Sequence, residues 1–346
     1  MSEIIAEKRG RLGLITLDRP KALNSLNLQM CKDIAIALDV FAADKDIAHV
    51  AMRSGENGRF FCAGGDIRTL QAQLSEKVYD EAENFFATEY KLNRKIARYP
   101  KPYISLIDGI VMGGGVGISG HGALRAVTEN TVFAMPEVAI GFFPDVGVSR
   151  LLARLPGKTG AYLAVTGERI KAADMLYLGL ATHHVPATSF DAIITMLADS
   201  DDAKAVLQRF HVDAGEAPIK NLMEKISHYF DGDTVEEIHS HLADWLSDEF
   251  ATKCMNTMAA RSPMSMAIAL KQLELGALSI EDTLVQDYRI ACRVIRGHDF
   301  PEGVRALLID KDQKPLWEPA TFNAISAESL SNYFVPLPAG KDLAFA

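Results

Sequence analysis

The sequence predicts an α/β core followed by a helical C-terminal region. Short apolar or β-branched runs alternate with helical patterns through the first half of the chain, which is typical of α/β architecture. From about Ala172 the strand signals fade, and residues 195–300 read as helices. We therefore predict a core over residues 1–190 and a helical region over residues 191–346.

Individual elements follow from where the apolar runs begin and end. Leu12–Leu17 is a predicted strand that stops at the turn signal Asp18-Arg19-Pro20. The other predicted core elements are strands over 47–53, 103–111 and 131–135 and helices over 25–41 and 76–98. Predicted C-terminal helices include 234–246 and 263–275; the second has Pro263 in its first turn and Gly276 just past its end, the expected asymmetry.

Composition excludes several classes of protein. The 346 residues carry a net charge of 36 − 45 = −9, with 48% apolar and 23% charged residues, which indicates a globular chain without a nucleic-acid footprint. No apolar run approaches the ~20 residues that a membrane span needs. Four dispersed cysteines argue against a disulfide framework, and the first residues resemble no signal or transit peptide. We expect a cytoplasmic protein that contacts neither nucleic acid nor membrane.

The segment 61–67 is the first candidate for chemistry. Gly64 and Gly65 permit a tight turn with unhindered backbone N–H groups, and Asp66 can cap a helix starting at Ile67. The turn is either an anion- or oxyanion-binding element or a plain strand-to-helix loop. Cys62 has no histidine nearby in sequence, so a small buried residue is favoured over a nucleophile.

A second glycine cluster, 113–117, lies between a predicted strand and a helix. A helix N-terminus with free N–H groups suits developing negative charge. Gly115, Gly117 and Gly120 also match GxGxxG formally, but the match is not in a first βαβ unit and no ribose-binding acid follows a strand where one is required. A dinucleotide site is therefore the weaker alternative.

Three acidic residues occupy apolar surroundings. Glu137 and Asp145 lie 145 − 137 = 8 residues apart, each directly after a proline, and could divide base and acid roles or simply cap turns. Glu89 falls on the apolar face of the 76–98 helix, where an inward acid needs a partner, such as a buried arginine, or a function.

In combination these segments resemble the crotonase (enoyl-CoA hydratase/isomerase) superfamily. The matching stretches are RPKALNSL (19–26), FCAGGDI (61–67) and GIVMGGGVGIS (109–119). Within the superfamily, FFATEYKLN (85–93), HGALRAVTEN (121–130), MPEVAIGFFPDVG (135–147) and 296–320 resemble the 3-hydroxyisobutyryl-CoA hydrolases. The resemblance implies a spiral of ββα repeats, a helical C-terminal region that covers the active site, and an acyl-CoA thioester hydrolase of valine breakdown.

Catalytic roles are carried over from the resemblance residue by residue. The backbone N–H groups of Gly65 and Gly114 would hold the thioester oxygen. Glu137 would be general base or nucleophile, and Asp145 would orient water or protonate the leaving group. Glu89 would lie near the acyl end and help to select a hydroxylated chain.

Substrate binding and partners are likewise implied by the resemblance. Coenzyme A enters as part of the substrate, along segments that contain Ala22, Asn24, Ala63 and Asp66; no metal or other cofactor is implied, and a homo-oligomer is possible. Hydratases carry a catalytic Glu where this chain has Gly117, which argues against hydration. The alternatives are a hydratase or isomerase acting on another acyl-CoA, and a non-catalytic acyl-CoA-binding protein.

Overall fold

The computed structural model describes residues 3–55 and 59–345. Its strands are β1 Ile4–Arg9, β2 Leu12–Leu17, β3 His49–Ser54, β4 Phe60–Cys62, β5 Tyr103–Ile107, β6 Ile110–Met112, β7 Leu124–Val127, β8 Val132–Ala134, β9 Ile170–Lys171 and β10 His183–His184.

Its α-helices are α1 Leu28–Ala43, α2 Ile67–Ser75, α3 Tyr79–Ala97, α4 Gly114–Ser119, α5 Ser149–Leu152, α6 Thr159–Thr166, α7 Ala172–Tyr177, α8 Phe190–Asp199, α9 Ala203–Phe210, α10 Met223–Tyr229, α11 Val235–Ala243, α12 Glu249–Ala259, α13 Pro263–Glu274, α14 Ile280–Val294, α15 Asp299–Val304 and α16 Ala327–Ser331. Short 3₁₀-helices include Pro20–Ala22 and Glu137–Ile140. None of the helices in the described ranges has the length and apolar character that crossing a membrane requires.

The chain divides into two compact units that interleave along the sequence. The sheet unit contains the residues up to Asp66, Thr88–Ala134 and Arg169–Lys220, and the helical unit contains Ile67–Ala87, Met135–Glu168 and the residues from Asn221 onward. This division differs from the predicted boundary at residue 190. The reason is that two early segments pack with the C-terminal helices, while the chain from residue 169 to 220 returns to the sheets.

The sheet unit is built from a repeated strand pair. In the described residues, one sheet has the order β1-β2-β3-β5-β7-β10 and the other the order β4-β6-β8-β9. The first strand of each pair therefore belongs to the six-stranded sheet and the second strand to the four-stranded sheet; the pairs are β3–β4, β5–β6 and β7–β8. Within each sheet, the strands of successive pairs run parallel. Helices follow the first two pairs. The predicted spiral of ββα repeats is confirmed.

Apolar side chains from strands and helices form the core of the sheet unit. Leu12 and Leu14 of β2 and Leu106 of β5 are fully buried with the inner faces of α8 and α9, represented by Leu197 and Leu207. Helices α8 and α9 lie in the region predicted to be helical. They nevertheless belong to the sheet unit, because their apolar faces cover its parallel strands.

The helical unit gathers α2, α5, α6 and α10–α16. Several of its helices start at polar caps: Thr234 forms a capping box with Glu237 at α11, and Ser262 accepts from the Ser265 N–H at α13. Helix α13 begins at Pro263 and ends at Glu274, as predicted to within one residue. Its buried face contains Met266, Ile268 and Ala269 and packs on α5 and α6.

One predicted strand is wrong in its continuity. The apolar run 103–111 divides into β5 and β6, which belong to different sheets. Gly109 separates them with φ +79°, and a Cβ atom there would collide with the backbone of Arg59 and Phe60. The bend therefore depends on a glycine within an apolar run, and hydropathy alone does not reveal it.

Candidate active site

The glycine turn after β4 is hydrogen-bonded on both sides to the segment before α1. The Ala63 N–H donates to the Leu23 carbonyl at 3.1 Å, the Leu26 N–H to the Gly64 carbonyl at 2.8 Å, and the Asp66 N–H to the Leu26 carbonyl at 2.8 Å. Because these bonds bracket residue 65, they fix the orientation of the peptide groups around it. The turn is thus a rigid element, as pre-organised hydrogen-bond donors require.

Gly114 lies directly beside this turn. It is the first residue of α4, and the first N–H groups of an α-helix have no acceptor within the helix. The nitrogen of Gly65 is 3.4 Å from the point that a Cβ atom on Gly114 would occupy, and Leu26 Cδ1 is 3.3 Å from it. The structure therefore places the two predicted oxyanion donors next to each other.

Glu89 belongs to the same cluster. It is only 2% exposed, on the part of α3 that lies in the sheet unit. Its Oε1 atom fills the space in which a Cβ atom on Gly114 would stand. The inward acid predicted from the helical pattern is thus placed against the bare backbone of the α4 N-terminus. An acid in this position can hydrogen-bond a polar group on a ligand that approaches the two amides.

Cys62 lies behind the cluster and does not have the properties of a nucleophile. Its side chain is fully buried, and burial raises the pKa of the thiol to about 12, with a smaller contribution from Glu89. A Cβ atom on Gly115 would collide with the Cys62 carbonyl oxygen, so the close packing there needs small residues. The structure supports the interpretation of Cys62 as a small buried residue.

Two of the predicted substrate-binding residues hold the loops of this cluster together. The Asn24 side chain is fully buried; it donates to Ser54 Oγ at 2.9 Å and to the Phe61 carbonyl at 3.1 Å, and it accepts from the Arg19 N–H at 2.8 Å. The Asp66 carboxylate accepts from Arg19 Nη2 at 2.7 Å. These contacts position the glycine turn. Helix α2 begins at Ile67, directly after Asp66, as predicted.

The other two predicted substrate-binding residues are small and half-buried. Ala22 ends the 3₁₀-helix Pro20–Ala22, and Ala63 directly precedes the glycine turn. Since Ala63 is bonded through its N–H to the chain just after Ala22, the two lie on neighbouring segments. That Ala22, Asn24, Ala63 and Asp66 line a path for coenzyme A stays a prediction.

Glu137 opens the 3₁₀-helix Glu137–Ile140 in the helical unit. The residue is 9% exposed. Gly141 ends the element with φ +71°, and the Phe142 N–H donates to the Glu137 carbonyl at 3.1 Å. The element is short, so the direction of the Glu137 side chain depends on this tight turn.

Helices α13 and α15 pack against the 3₁₀-helix that carries Glu137. The Ser262 N–H at the start of α13 donates to the Val138 carbonyl at 3.1 Å. A Cβ atom on Gly141 would collide with the Asp299 carbonyl of α15, and one on Gly303 would collide with the Ile140 backbone. The 296–320 motif therefore acts on the site by packing against the element that carries Glu137.

Asp145 is also buried in the helical unit, at 5% exposure. It begins a turn in which Val146 has φ +53° and Gly147 has φ +75°, and its carbonyl accepts from the Val148 N–H at 2.9 Å. Asp287 of α14 accepts from the Gly147 N–H at 2.7 Å. Sequence reasoning missed Asp287, although an acid on the apolar face of a helix is the signal that singled out Glu89.

Each unit thus offers one chemical capability. The sheet unit presents two adjacent backbone amides with a buried acid beside them, an arrangement that suits a carbonyl oxygen and a polar acyl group. The helical unit holds two buried acids on rigid turns.

Within the described ranges, no group of three or more His, Cys, Asp or Glu residues is arranged to hold a metal ion. The glycines of the GxGxxG match lie in or directly after α4, so they form no loop ahead of a helix as a dinucleotide site needs.

The chain matches a known protein family over most of its length. The family model described as enoyl-CoA hydratase/isomerase matches residues 12–334. The chain belongs to the enoyl-CoA hydratase/isomerase family. The two glycine turns and the buried acids described above all lie within the matched residues.

Curated members of this enoyl-CoA hydratase/isomerase family cover nearly the whole chain. Proteins named "3-hydroxyisobutyryl-CoA hydrolase, mitochondrial" are 41% identical in Mus musculus and in Homo sapiens, each over 99% of this chain and 91% of the relative. The Xenopus laevis protein of that name is 43% identical over 95% of this chain and 88% of its own length.

The expectation of a cytoplasmic location is wrong, because these relatives are all named as mitochondrial proteins. The expectation rested on the composition of the first residues.

Solved structures of the family match over the full length as well. A carnitinyl-CoA dehydratase from Mycobacterium thermoresistibile superposes with a TM-score of 0.93 at 36% identity, covering 100% of this chain and 99% of its own. An enoyl-CoA hydratase from Rhodobacter sphaeroides gives a TM-score of 0.93 at 35% identity, covering 99% and 100%. The crotonase-type fold is confirmed.

Proposed function

We propose that the protein hydrolyses the thioester of 3-hydroxyisobutyryl-CoA to the free hydroxy acid and coenzyme A. The observation that carries this proposal is the identity of 41–43% over at least 95% of the chain to relatives of that name. The adjacent amides of Gly65 and Gly114 supply the chemical support, because thioester hydrolysis passes through a tetrahedral oxyanion.

In the proposed reaction the thioester oxygen accepts hydrogen bonds from Gly65 and Gly114. As the carbonyl carbon becomes tetrahedral, negative charge collects on this oxygen, and the two amides stabilise it more strongly than they stabilise the ground state. Removing one donor of this kind typically costs about 10²–10³-fold in rate. Glycine at both positions lets the substrate carbonyl reach the backbone.

Glu137 supplies the carboxylate of the proposed reaction. As general base it takes a proton from the attacking water; as nucleophile it forms an anhydride with the acyl group, which water then cleaves. In either case the carbon–sulfur bond breaks and the thiolate takes up a proton. We assign Asp145 to orient the water or to deliver that proton.

Glu89 is proposed to recognise the 3-hydroxyl group of the acyl chain. Its carboxylate lies against Gly114, beside the proposed oxyanion donors, where the acyl end of a bound thioester would extend. A site that hydrogen-bonds a substrate hydroxyl discriminates strongly against an analogue that lacks it. We expect isobutyryl-CoA, which has no hydroxyl, to be a much poorer substrate.

The biological role that fits this substrate is valine breakdown, in which a hydroxyacyl thioester must be converted to the free acid. Coenzyme A is part of the substrate, and the proposed chemistry needs only water and the residues named above.

Hydration of an enoyl-CoA is the second candidate, and one observation favours it. The two solved structures with a TM-score of 0.93 are named as a dehydratase and a hydratase, at 36% and 35% identity. Gly117 argues against hydration, because the hydratases that this chain resembles carry a catalytic Glu at that position. A glycine offers no group that could transfer a proton.

The deciding experiment measures release of the coenzyme A thiol from 3-hydroxyisobutyryl-CoA beside hydration of crotonyl-CoA. We expect rapid thiol release, little hydration, and loss of at least about 10³-fold in kcat for Glu137→Gln with an unchanged Tm. Glu168→Gln, in an ion pair with Lys253 on the same unit, is the matched control and should keep full activity. Hydration without thiol release would establish the second candidate, and binding of the ester without any product would indicate a non-catalytic protein.

A further inference from the structure

Asp287 is a fully buried acid whose two oxygens are both used within the helical unit. It lies on α14 and is 1% exposed. Oδ2 accepts from the Gly147 N–H at 2.7 Å, and Oδ1 accepts from Gln272 Nε2 of α13 at 2.8 Å. Gln272 is itself only 3% exposed. The carboxyl group thus joins α13 and α14 to the turn that follows Asp145.

The backbone conformation of that turn is locally unfavourable. Val146 is β-branched and has φ +53°, in the left-handed region that such residues rarely adopt, and Gly147 continues it with φ +75°. Since the conformation is unfavourable locally, a contact from elsewhere in the chain must impose it. The bond from the Gly147 N–H to Asp287, which lies 140 residues further along, is such a contact.

The surroundings of Asp287 disfavour its charged form. Burial is the main cause that raises the pKa of Asp287 well above its usual range, and the nearby Asp145 raises it further, against the opposing bonds from Gly147 and Gln272. A protonated Asp287 still offers an acceptor to Gly147 and adds no second negative charge beside Asp145. The side-chain amide of Gln272 can turn over, so that its oxygen accepts a hydrogen bond from the protonated carboxyl.

We propose that Asp287 is a positioning residue for Asp145. Through the Gly147 amide it holds the turn that aims the Asp145 carboxyl, and Gln272 in turn fixes Asp287. The inference rests on the proposed role of Asp145 in thioester hydrolysis. What Asp287 contributes is a hydrogen-bond acceptor at a fixed place, and its negative charge is not required.

Two substitutions at residue 287 separate the acceptor from the charge. Asp287→Asn keeps a carbonyl oxygen for the Gly147 N–H, so we expect kcat within about 3-fold of the wild type. Asp287→Leu is similar in size but leaves the Gly147 N–H buried without an acceptor. We expect it to lower kcat about 100-fold, the effect of misplacing a catalytic group by about 1 Å, with KM changed less than 3-fold.

Asp174→Leu is the matched control for the loss of a buried acceptor. Asp174 is 6% exposed and accepts from the Ile219 N–H at 2.9 Å, a bond between distant segments of the sheet unit. This variant should lose thermal stability as Asp287→Leu does, while kcat of the folded protein stays at the wild-type value. Equal kcat losses in both leucine variants would reduce Asp287 to a structural residue and overturn the proposal.

Two further measurements complete the test. If Asp287→Leu does not fold, Gln272→Met, which removes the second anchor of Asp287, should lower kcat at least 5-fold, and an unchanged kcat overturns the proposal. Asp145→Asn is measured beside them. Full activity of Asp145→Asn overturns the role of Asp145 and the inference with it. If Asp145→Asn is impaired while Asp287→Leu is fully active, the inference is overturned but the proposed role of Asp145 is not. The same conclusion follows if Asp287→Asn is as impaired as Asp287→Leu.

Discussion

The Oε1 atom of Glu89 occupies the space that a Cβ atom on Gly114 would need. The acid and the glycine are therefore mutually dependent: the carboxylate can lie at the α4 N-terminus only because residue 114 has no side chain. This dependence can be measured directly.

Gly114→Ala should lower both Tm and kcat for thiol release, because the new methyl group displaces Glu89 and crowds the Gly65 amide 3.4 Å away. For kcat we expect a loss of about 10²–10³-fold, the typical effect of disabling an oxyanion donor. The double variant Glu89→Ala/Gly114→Ala removes the collision. Its Tm should be higher than the sum of the two single effects predicts, and strict additivity would show that the two residues do not touch.

Gly141→Ala should destabilise the Glu137 element. Its φ of +71° disfavours a side chain, and the added methyl group would collide with the Asp299 carbonyl. Gly179→Ala is the control for strain alone, since Gly179 has φ +75° with nothing within 4 Å of the new atom. We expect Gly179→Ala to cost about 1–2 kcal/mol of unfolding free energy without loss of kcat. Gly141→Ala should cost more unfolding free energy and should lower kcat as well. If the two variants have the same effects on Tm and on kcat, the packing of α15 against the Glu137 element is contradicted.

The four cysteines should be unreactive in the native protein. All four are buried, and burial raises the pKa of Cys62, Cys254 and Cys292 to about 12 and that of Cys31 well above its usual range. Little thiolate is therefore present at neutral pH. A thiol reagent should titrate no cysteine at pH 7.5 until the chain is unfolded, when it should titrate four. Fast labelling of the folded protein would show that a buried thiol becomes exposed.

Glu302 should contribute stability that is lost in acid. Arg305 donates to both oxygens of Glu302 at 2.8 Å and is the main cause that lowers the pKa of this carboxyl to about 2. Since the folded-state pKa lies below the unfolded value of about 4.3, the stabilisation is complete above pH ~5 and disappears as the pH falls through 4 toward 2. Glu302→Gln should lower Tm at pH 7, and the difference from the wild type should shrink over that range.

The matched control for Glu302 is Glu274→Gln. Glu274 pairs with Lys271 in an exposed ion pair, which contributes little to stability. Its effect on Tm should be small at every pH between 2 and 7. A difference between Glu302→Gln and the wild type that stays constant over this range would show that the Arg305 contact does not favour the charged carboxylate.

Sequence patterns predicted the elements with long apolar faces and missed the short or charged ones. Leu12–Leu17 is a strand as predicted, and the helix expected over 25–41 is Leu28–Ala43 with Asn27 as its N-cap. Strand β1 was missed because Ile4–Arg9 ends in three charged residues, and β10 was missed because a strand of two residues carries no periodic signal. Such strands exist because a neighbouring strand offers a hydrogen-bonding edge, which is a tertiary property.

The candidate site could be predicted only in its chemistry-bearing residues. Buried acids and paired glycines have local signals, so Glu89 and Gly114 were found from their own segments. That the Gly65 and Gly114 backbones are adjacent depends on the spiral, which brings segments about 50 residues apart in sequence to neighbouring positions. No local pattern contains that information, and the family resemblance supplied it.

The two edge strands of the larger sheet are poorly suited to pairing with another molecule. One edge is β1, whose last three residues are Glu7, Lys8 and Arg9. Lys8 Nζ forms an ion pair with Asp44 Oδ2 at 2.9 Å. The opposite edge is β10, only two residues long. Charged and very short edge strands resist continuation of a sheet into another molecule and so protect against aggregation. We therefore expect that no homo-oligomer forms by continuation of this sheet from one copy into the next.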